Sequence, residues 1–296
     1  FLAALFYFVY YIRRIRFSSA ALITACLFAL FTVFGESYYH FANWSFVLAN
    51  RYQIMLAIFV LAGYTFLFYS CLTLLFGMID KGKLLTRKEY GEKGLWAYFE
   101  RHAVLISMAV IFICWLPIIL IYYPGSVPHD GYYELNMFFG VNGFTNHHPV
   151  FVTWIMGCFM ELGRLFGSDN LGIFFYVLAQ SVFCSFAFAL SIQYFQKLKA
   201  PFWLQMVTLL YFALFPIWPA YAQAEIKDTL FTGVFVLYTL QIIDVLKNYG
   251  EYFNKPSKMI LSGLAALLLC LMRNNGLYIM IPTSVLLILA VHKKEK

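Results

Sequence analysis

Apolar residues arrive along this chain in long, unbroken runs, without the two-residue alternation of a half-buried strand or the narrow stripe of a surface helix. The runs are Phe17–Phe34, Gln53–Ile79, Ala103–Tyr123, Leu171–Phe195, Phe202–Tyr221, Asp228–Leu246, Met259–Met272 and Leu277–Val291, and Phe1–Ile12 reads as the tail of another. A helix of about 20 apolar residues crosses the hydrocarbon core. The pattern therefore predicts an all-α, polytopic transmembrane helix bundle of about eight to nine spans. No initiator Met is present and the chain opens inside an apolar run, so a fragment at the N-terminus is expected; the closing HKKEK is either a true end or a cut before further domains.

Val150–Phe166 is apolar but carries Glu161, Gly163 and Arg164. As a span it would place every later Lys cluster on the opposite side. Laid flat at the outer interface as an amphipathic helix, it keeps all the positive loops together.

Those positive loops set the orientation. Arg13, Arg14 and Arg16 precede the first complete span, and Asp80–His102 carries Lys81, Lys83, Arg87, Lys88, Lys93 and Arg101. Lys197 and Lys199, then Lys247, Lys255 and Lys258, and finally Lys293, Lys294 and Lys296 mark the remaining cytoplasmic turns. Gly35–Arg51, Tyr122–Asn170, Ala222–Lys227 and Arg273–Gly276 are then the outer loops. Two regions follow: N-terminal spans with a basic cytoplasmic loop over 1–102, and a core over 103–296 whose outer loop, 122–170, carries the chemistry.

Composition agrees with a lipid environment. The chain is 62% hydrophobic and 12% charged, against roughly 25% charged in soluble domains. The net charge of +7 is accounted for by anchoring to an anionic inner leaflet, and no nucleic-acid partner is implied. Six cysteines stand singly at spacings that suit neither metal nor redox chemistry, and read as packing residues. There is no P-loop, dinucleotide fingerprint, zinc-protease motif or nucleophile elbow.

Polar residues collect instead at the outer ends of helices. The segment Tyr122–Phe151 reads as a long structureless loop holding His129, Asp130, Glu134, His147 and His148 and no Lys or Arg. Turns at Pro124-Gly125 and Pro128 hold Asp130 near the membrane boundary. Lys227 and Asp228 open a later span in AEIKDTLF, and Arg273 sits where one apolar run stops before another begins. Ionisable groups at membrane depth are functional candidates by default. Each also has a plainer role: Asp130 can cap a loop helix or pair with His129, Asp228 can cap its span, Lys227 can snorkel, and Arg273 can pair with an acidic loop residue. Glu161 and Arg164, three apart, read as a salt-bridged polar face.

With these residues in view, the order of features resembles the GT-C superfamily of membrane glycosyltransferases, which take a sugar from a polyprenyl-phosphate lipid. Asp130 in VPHDGYYEL resembles that family's acidic residue in the first large outer loop. NHHPVFVTWIMGCFMELGRLFGSDNLG is similar to the His-Pro step and interfacial helix of protein O-mannosyltransferases and aminoarabinose transferases, and AEIKDTLFTGVFVL to a later charged loop. The likeness runs from about Trp115 to Leu240. The spans before Ala103 have no counterpart in the minimal family plan and point, with the RNNG step, to a bacterial branch.

The resemblance implies sugar transfer to a glycan, lipid or protein acceptor on the outer face of the cytoplasmic membrane, by inverting displacement. Asp130 would be the base, and Lys227 and Arg273 would hold the departing phosphate. His147 or His148 would join them or bind sugar hydroxyls, with Asp228 also in the site. Glu134, four residues beyond Asp130 where the family pattern has two, would orient the acceptor or share a divalent cation; no other cofactor is implied. The alternatives are a transporter or flippase for a lipid-linked or anionic solute, and an assembly protein that needs no outer carboxylate.

Overall fold

A computed structural model describes residues 17–80, 94–145 and 147–295. The expected partial span Phe1–Ile12, the Arg13–Arg16 cluster and most of the first basic loop lie outside the described residues. The chain divides into two compact units, 1–86 and 87–296.

In the first unit α1 (Ser19–Phe41), α2 (Ser45–Leu48) and α3 (Arg51–Asp80) form a hairpin. Ala21, Ala25, Ala29 and Val33 recur every fourth residue and are buried, so the two long helices approach along small side chains. Ser18 caps α1 by accepting from the Ala21 N–H, and Asn50 Oδ1 accepts from Tyr52 and Gln53 at the start of α3.

The second unit contains α4 (Leu95–Arg101), α5 (Ala103–Ile121), α6 (His129–Phe138), α7 (Val150–Leu165), α8 (Asp169–Lys197), α9 (Phe202–Leu214), α10 (Ile217–Ala222), α11 (Lys227–Phe253), α12 (Pro256–Met272) and α13 (Asn275–Glu295). Helix α8 is its centre. On one side Val177, Phe188 and Ile192 pack with Ile111, Trp115 and Ile119 of α5 and with Leu209 and Ala213 of α9. On the other, Tyr176 joins Val152, Met156 and Met160 of α7, Leu230 and Val234 of α11, and Leu269 of α12.

Among the described residues, six helices are long and apolar enough to cross a membrane, within α1, α3, α5, α8, α11 and α13, and the protein is an integral membrane protein. Helices α9 and α12 are apolar but shorter, which is where the count falls below the expected eight to nine. The run Phe202–Tyr221 is two helices. Pro216 lacks an N–H and drives Phe215 out of the helical region, to φ −71° and ψ 121°.

Helix α7 has 16 residues, about 24 Å at ~1.5 Å per residue, short of the roughly 30 Å hydrocarbon core. It buries Val152, Thr153, Met156, Gly157, Met160 and Gly163 against the bundle and exposes Trp154, Leu162 and Leu165. Its end is tied by Arg164, which bonds Glu161 at 3.2 Å, as its spacing predicts, and Asp169 at 2.8 Å.

Candidate functional site

Beyond α5 the chain does not stay structureless. Gly125 takes φ +126°, and a Cβ there would lie 2.8 Å from the Gln223 carbonyl, so only glycine allows this crossing. Ser126 then forms an isolated parallel bridge with Ala224, accepting from the Glu225 N–H at 2.8 Å. Pro128, at φ −63° and ψ 167°, ends the extended segment and starts α6. Asp130 falls in the first turn of α6, where the exposed N–H groups favour a carboxylate.

The Asp130–Glu134 spacing, a departure from the family pattern when read as a loop, acquires a meaning in this helix. Residues four apart share one face, and this face meets α11. Gly131 lies between them at a close crossing: a Cβ on it would be 2.4 Å from the Glu225 carbonyl oxygen.

The opposing segment, 222–229, is held by one face of α8. Gln180 Nε2 donates to the carbonyls of Ala222 and Ala224, Ser181 Oγ to Ala222 at 3.1 Å, Tyr176 to Ile226 at 3.3 Å and Cys184 Sγ to Thr229 at 3.1 Å. Gln180, which looks like a stray polar residue in a span, is a latch on the loop that delivers Lys227.

Lys227 is 5% exposed. Its Nζ lies 3.0 Å from Asp130 Oδ2, 2.9 Å from Glu134 Oε1 and 3.3 Å from His148 Nδ1. An ammonium has three donors; Asp130 and Glu134 take two, and His148 takes the third when its Nδ1 is bare. His148 Nδ1 is also 2.9 Å from Glu134 Oε1. A proton on that nitrogen donates to Glu134, and a bare nitrogen accepts from Lys227; the tautomer decides which. The His148 ring stacks on Tyr133 at 4.9 Å, while His147 stands perpendicular to it at 4.8 Å on the exposed side. His129 Nδ1 is 4.0 Å from Asp130 Oδ1 and largely exposed.

The two carboxylates differ in access. Asp130 is half-exposed, and the hydrogen bond from Lys227 holds it below the usual carboxylate range despite the opposing effect of partial burial. Glu134 is fully buried, and its Oε2 has no partner among the described residues. The divalent cation considered from the sequence does not fit this donor set. Lys227 Nζ already bridges the carboxylates, and no three His, Cys, Asp or Glu among the described residues converge as ligands.

Glu225 is the residue that sequence reasoning missed. It is fully buried, and neither carboxylate oxygen has a partner among the described residues. Burial, reinforced by the charge of Glu134, pushes it up to about 8, so it holds a proton at neutral pH. The available signal was an acidic residue in AEIKD, between two apolar helices.

Asp228 and Arg273 form a separate, adjoining pair. Arg273 is extended, φ −156° and ψ 136°, where α12 ends, and donates from Nη1 to Asp228 Oδ1 at 2.6 Å. Both line a cavity of about 330 Å³ whose wall includes Trp115, Phe188, Trp218 and Tyr221. Asp130, Glu134, His148 and Lys227 thus gather in one cluster, and Asp228 with Arg273 in a second. The Lys227–Asp228 peptide joins the two, so Lys227 and Arg273, both expected to hold the departing phosphate, fall in different clusters.

These features define an all-helical integral membrane protein with a buried, charge-paired cluster beside an aromatic cavity. Residues 141–296 match a family described as a family of unknown function (DUF6020), and the chain belongs to that family. The match takes in His147, His148, Lys227, Asp228 and Arg273 and begins beyond Asp130 and Glu134. No curated protein and no solved structure matches the chain.

Proposed function

We propose that this protein is a GT-C-like membrane glycosyltransferase that moves a sugar from a polyprenyl-phosphate donor to an acceptor hydroxyl on the outer face of the cytoplasmic membrane. The observation that carries this reading is Asp130, a half-exposed carboxylate kept ionised by a buried lysine. An ionised carboxylate within reach of the acceptor hydroxyl can take its proton.

In the reaction the acceptor oxygen attacks the anomeric carbon, its proton passes to Asp130, and the bond from that carbon to the phosphate oxygen breaks. A single displacement inverts the anomeric centre. The lipid phosphate departs with growing negative charge. Lys227 is already engaged by Asp130 and Glu134, so its role is to position them. Arg273, whose hydrogen bonding among the described residues is through Nη1 to Asp228, is the cation with donors left for phosphate oxygens. The outer-face assignment rests on polarity: the cluster lies at the start of α11, whereas Lys247, Lys255 and Lys258 lie towards or beyond its other end.

The test is sugar transfer from a polyprenyl-phosphate donor by reconstituted protein. Asp130→Asn is expected to remove transfer while leaving the fold intact, and full activity in that variant would refute the base assignment. Glu225 favours a second reading. A buried carboxyl that holds a proton is also what a proton-coupled carrier of an anionic solute requires. Solute movement driven by a proton gradient, with no transfer chemistry, would select that reading.

A further inference from the structure

The outer loop expected to start at Gly35 starts later, because α1 continues to Phe41 and carries Glu36 and His40 on its last turns. Glu36 is the only acidic residue of α1, and it falls within the stretch long and apolar enough to cross a membrane. A carboxylate at that depth is costly without a positive partner. Among the described residues its partner is His40, at 3.3 Å, and an imidazole balances the charge only while doubly protonated. Arg51, the cation that closes the same segment, stands over the Tyr52 ring instead, 5.2 Å from its centre.

The turn after α1 sets aromatic walls beside this carboxylate. Ser37 Oγ donates to the Asn43 carbonyl at 2.9 Å, and Asn43 Oδ1 accepts from the Ser45 N–H at 2.8 Å. The turn so fixed lays the Phe46 ring nearly parallel to Phe41, with ring centres 6.0 Å apart. Both rings line a cavity of about 280 Å³ with Glu36, His40 and Tyr64, and its apolar lining extends to Val60 within the α3 span. The Glu36 and His40 side chains are more than half exposed, so the polar end of the cavity can be reached by a ligand.

We propose that this cavity binds the primary ammonium headgroup of a phosphatidylethanolamine-type lipid. Its N–H groups donate to Glu36 and bring a positive charge that persists near neutral pH, while the headgroup rests against the Phe41 and Phe46 rings. A quaternary ammonium has no N–H to give Glu36, and an anionic headgroup is repelled by it. The volume is small for a ligand site and suits a headgroup. A lining that continues along a spanning helix suits an occupant that arrives from the bilayer. The site lies wholly within the first unit and does not depend on the transferase reading.

The experiment uses the full chain purified in detergent and stripped of lipid. The probes are dihexanoyl phosphatidylethanolamine, phosphatidylcholine and phosphatidylglycerol, with free ethanolamine beside them, and binding is read by native mass spectrometry. The ethanolamine lipid is expected to bind most tightly of the four. Glu36→Gln keeps the side chain's length and removes its charge, and should weaken that lipid by about fivefold, a charge-assisted hydrogen bond discounted for exposure. Phe46→Leu removes one ring and should cost about threefold. His40→Gln removes the competing partner of Glu36 and should bind the lipid at least as tightly as wild type. Phe31→Leu, an exposed position of α1 outside the cavity, should change nothing.

Equal affinity for the ethanolamine and glycerol lipids, or equal affinity for the ethanolamine lipid in wild type and Glu36→Gln, overturns the site. Choline lipid bound as tightly as ethanolamine lipid removes the part played by the N–H donors and overturns it as well. Free ethanolamine bound as tightly as the lipid would make a soluble amine the occupant, against the lipid assignment.

Discussion

Lys227 Nζ bonds Asp130 Oδ2 at 3.0 Å across 97 positions of sequence, fastening the first turn of α6 to the first turn of α11. The same ammonium satisfies Glu134, which is fully buried. Removing the positive partner of a buried pair costs about 3–5 kcal/mol, because the remaining charge is left uncompensated. Lys227→Met is therefore expected to unfold at a markedly lower temperature in detergent and, under the proposed transferase function, to lose transfer. Adding Glu134→Gln removes the stranded charge and should restore much of the stability without restoring transfer. A single variant as stable as wild type would show that the cluster bears no structural load.

The crossing of α6 over the Glu225 segment is too close for a side chain at position 131. Gly131→Ala places a Cβ 2.4 Å from the Glu225 carbonyl oxygen, against backbone that α8 holds in place. Overpacking of this kind costs about 1–3 kcal/mol, and the shift of α6 should also move Asp130 off Lys227. Gly143→Ala meets open space and should stay within about 0.5 kcal/mol of wild type. Melting temperature and transfer rate, measured on both variants, check the pair; equal effects would contradict the close contact.

Much of this arrangement was legible in the chain because lipid imposes simple rules. An apolar run long enough to span has few alternatives to a helix, and α1, α3, α5, α8, α11 and α13 fall where the runs predict. Pro216 was a visible stop, overlooked because the apolar residues continue on both sides of it. Helix α6 was hidden for a different reason. HDGYYELNMF has neither a long apolar run nor a capping side chain, and its helix depends on Pro128 and on contacts with residues distant in sequence. The division between Lys227 and Asp228 follows from helix geometry. Successive helical residues point about 100° apart, so the two side chains reach different partners, His148 with the α6 carboxylates in one case and Arg273 in the other. The burial of Glu225 left only a weak signal, an acidic residue in AEIKD between two apolar helices, since a carboxyl in a loop leaves no periodic trace.

Gln180 offers a test of the latch on that loop. Its amide nitrogen serves the Ala222 and Ala224 carbonyls, both far along the chain and both buried. Gln180→Leu keeps a side chain of similar reach but leaves those carbonyls with fewer donors, at about 1–3 kcal/mol. The expected signature is local: faster amide exchange across 222–229, with α1 and α3 unaffected. Uniform exchange rates in wild type and variant would remove Gln180 from its holding role.

Glu225 gives the sharpest dependence on pH. Its folded value is raised from 4.5 to about 8, so between those limits the folded protein binds a proton that the unfolded chain has released. Stability from this group is therefore complete below about pH 4.5 and declines as pH rises to about 8. The shift corresponds to at most roughly 5 kcal/mol. Glu225→Gln retains a neutral, hydrogen-bonding side chain of the same size and removes the titration. The variant should match wild type near pH 5 and melt at a higher temperature than wild type at pH 8 to 9, where the native carboxyl would otherwise be charged in an unpartnered site. Thermal unfolding of both proteins across that pH range decides the matter. Parallel curves would mean that Glu225 is not held protonated by its burial, and the proton-carrying role considered for it would go with that result.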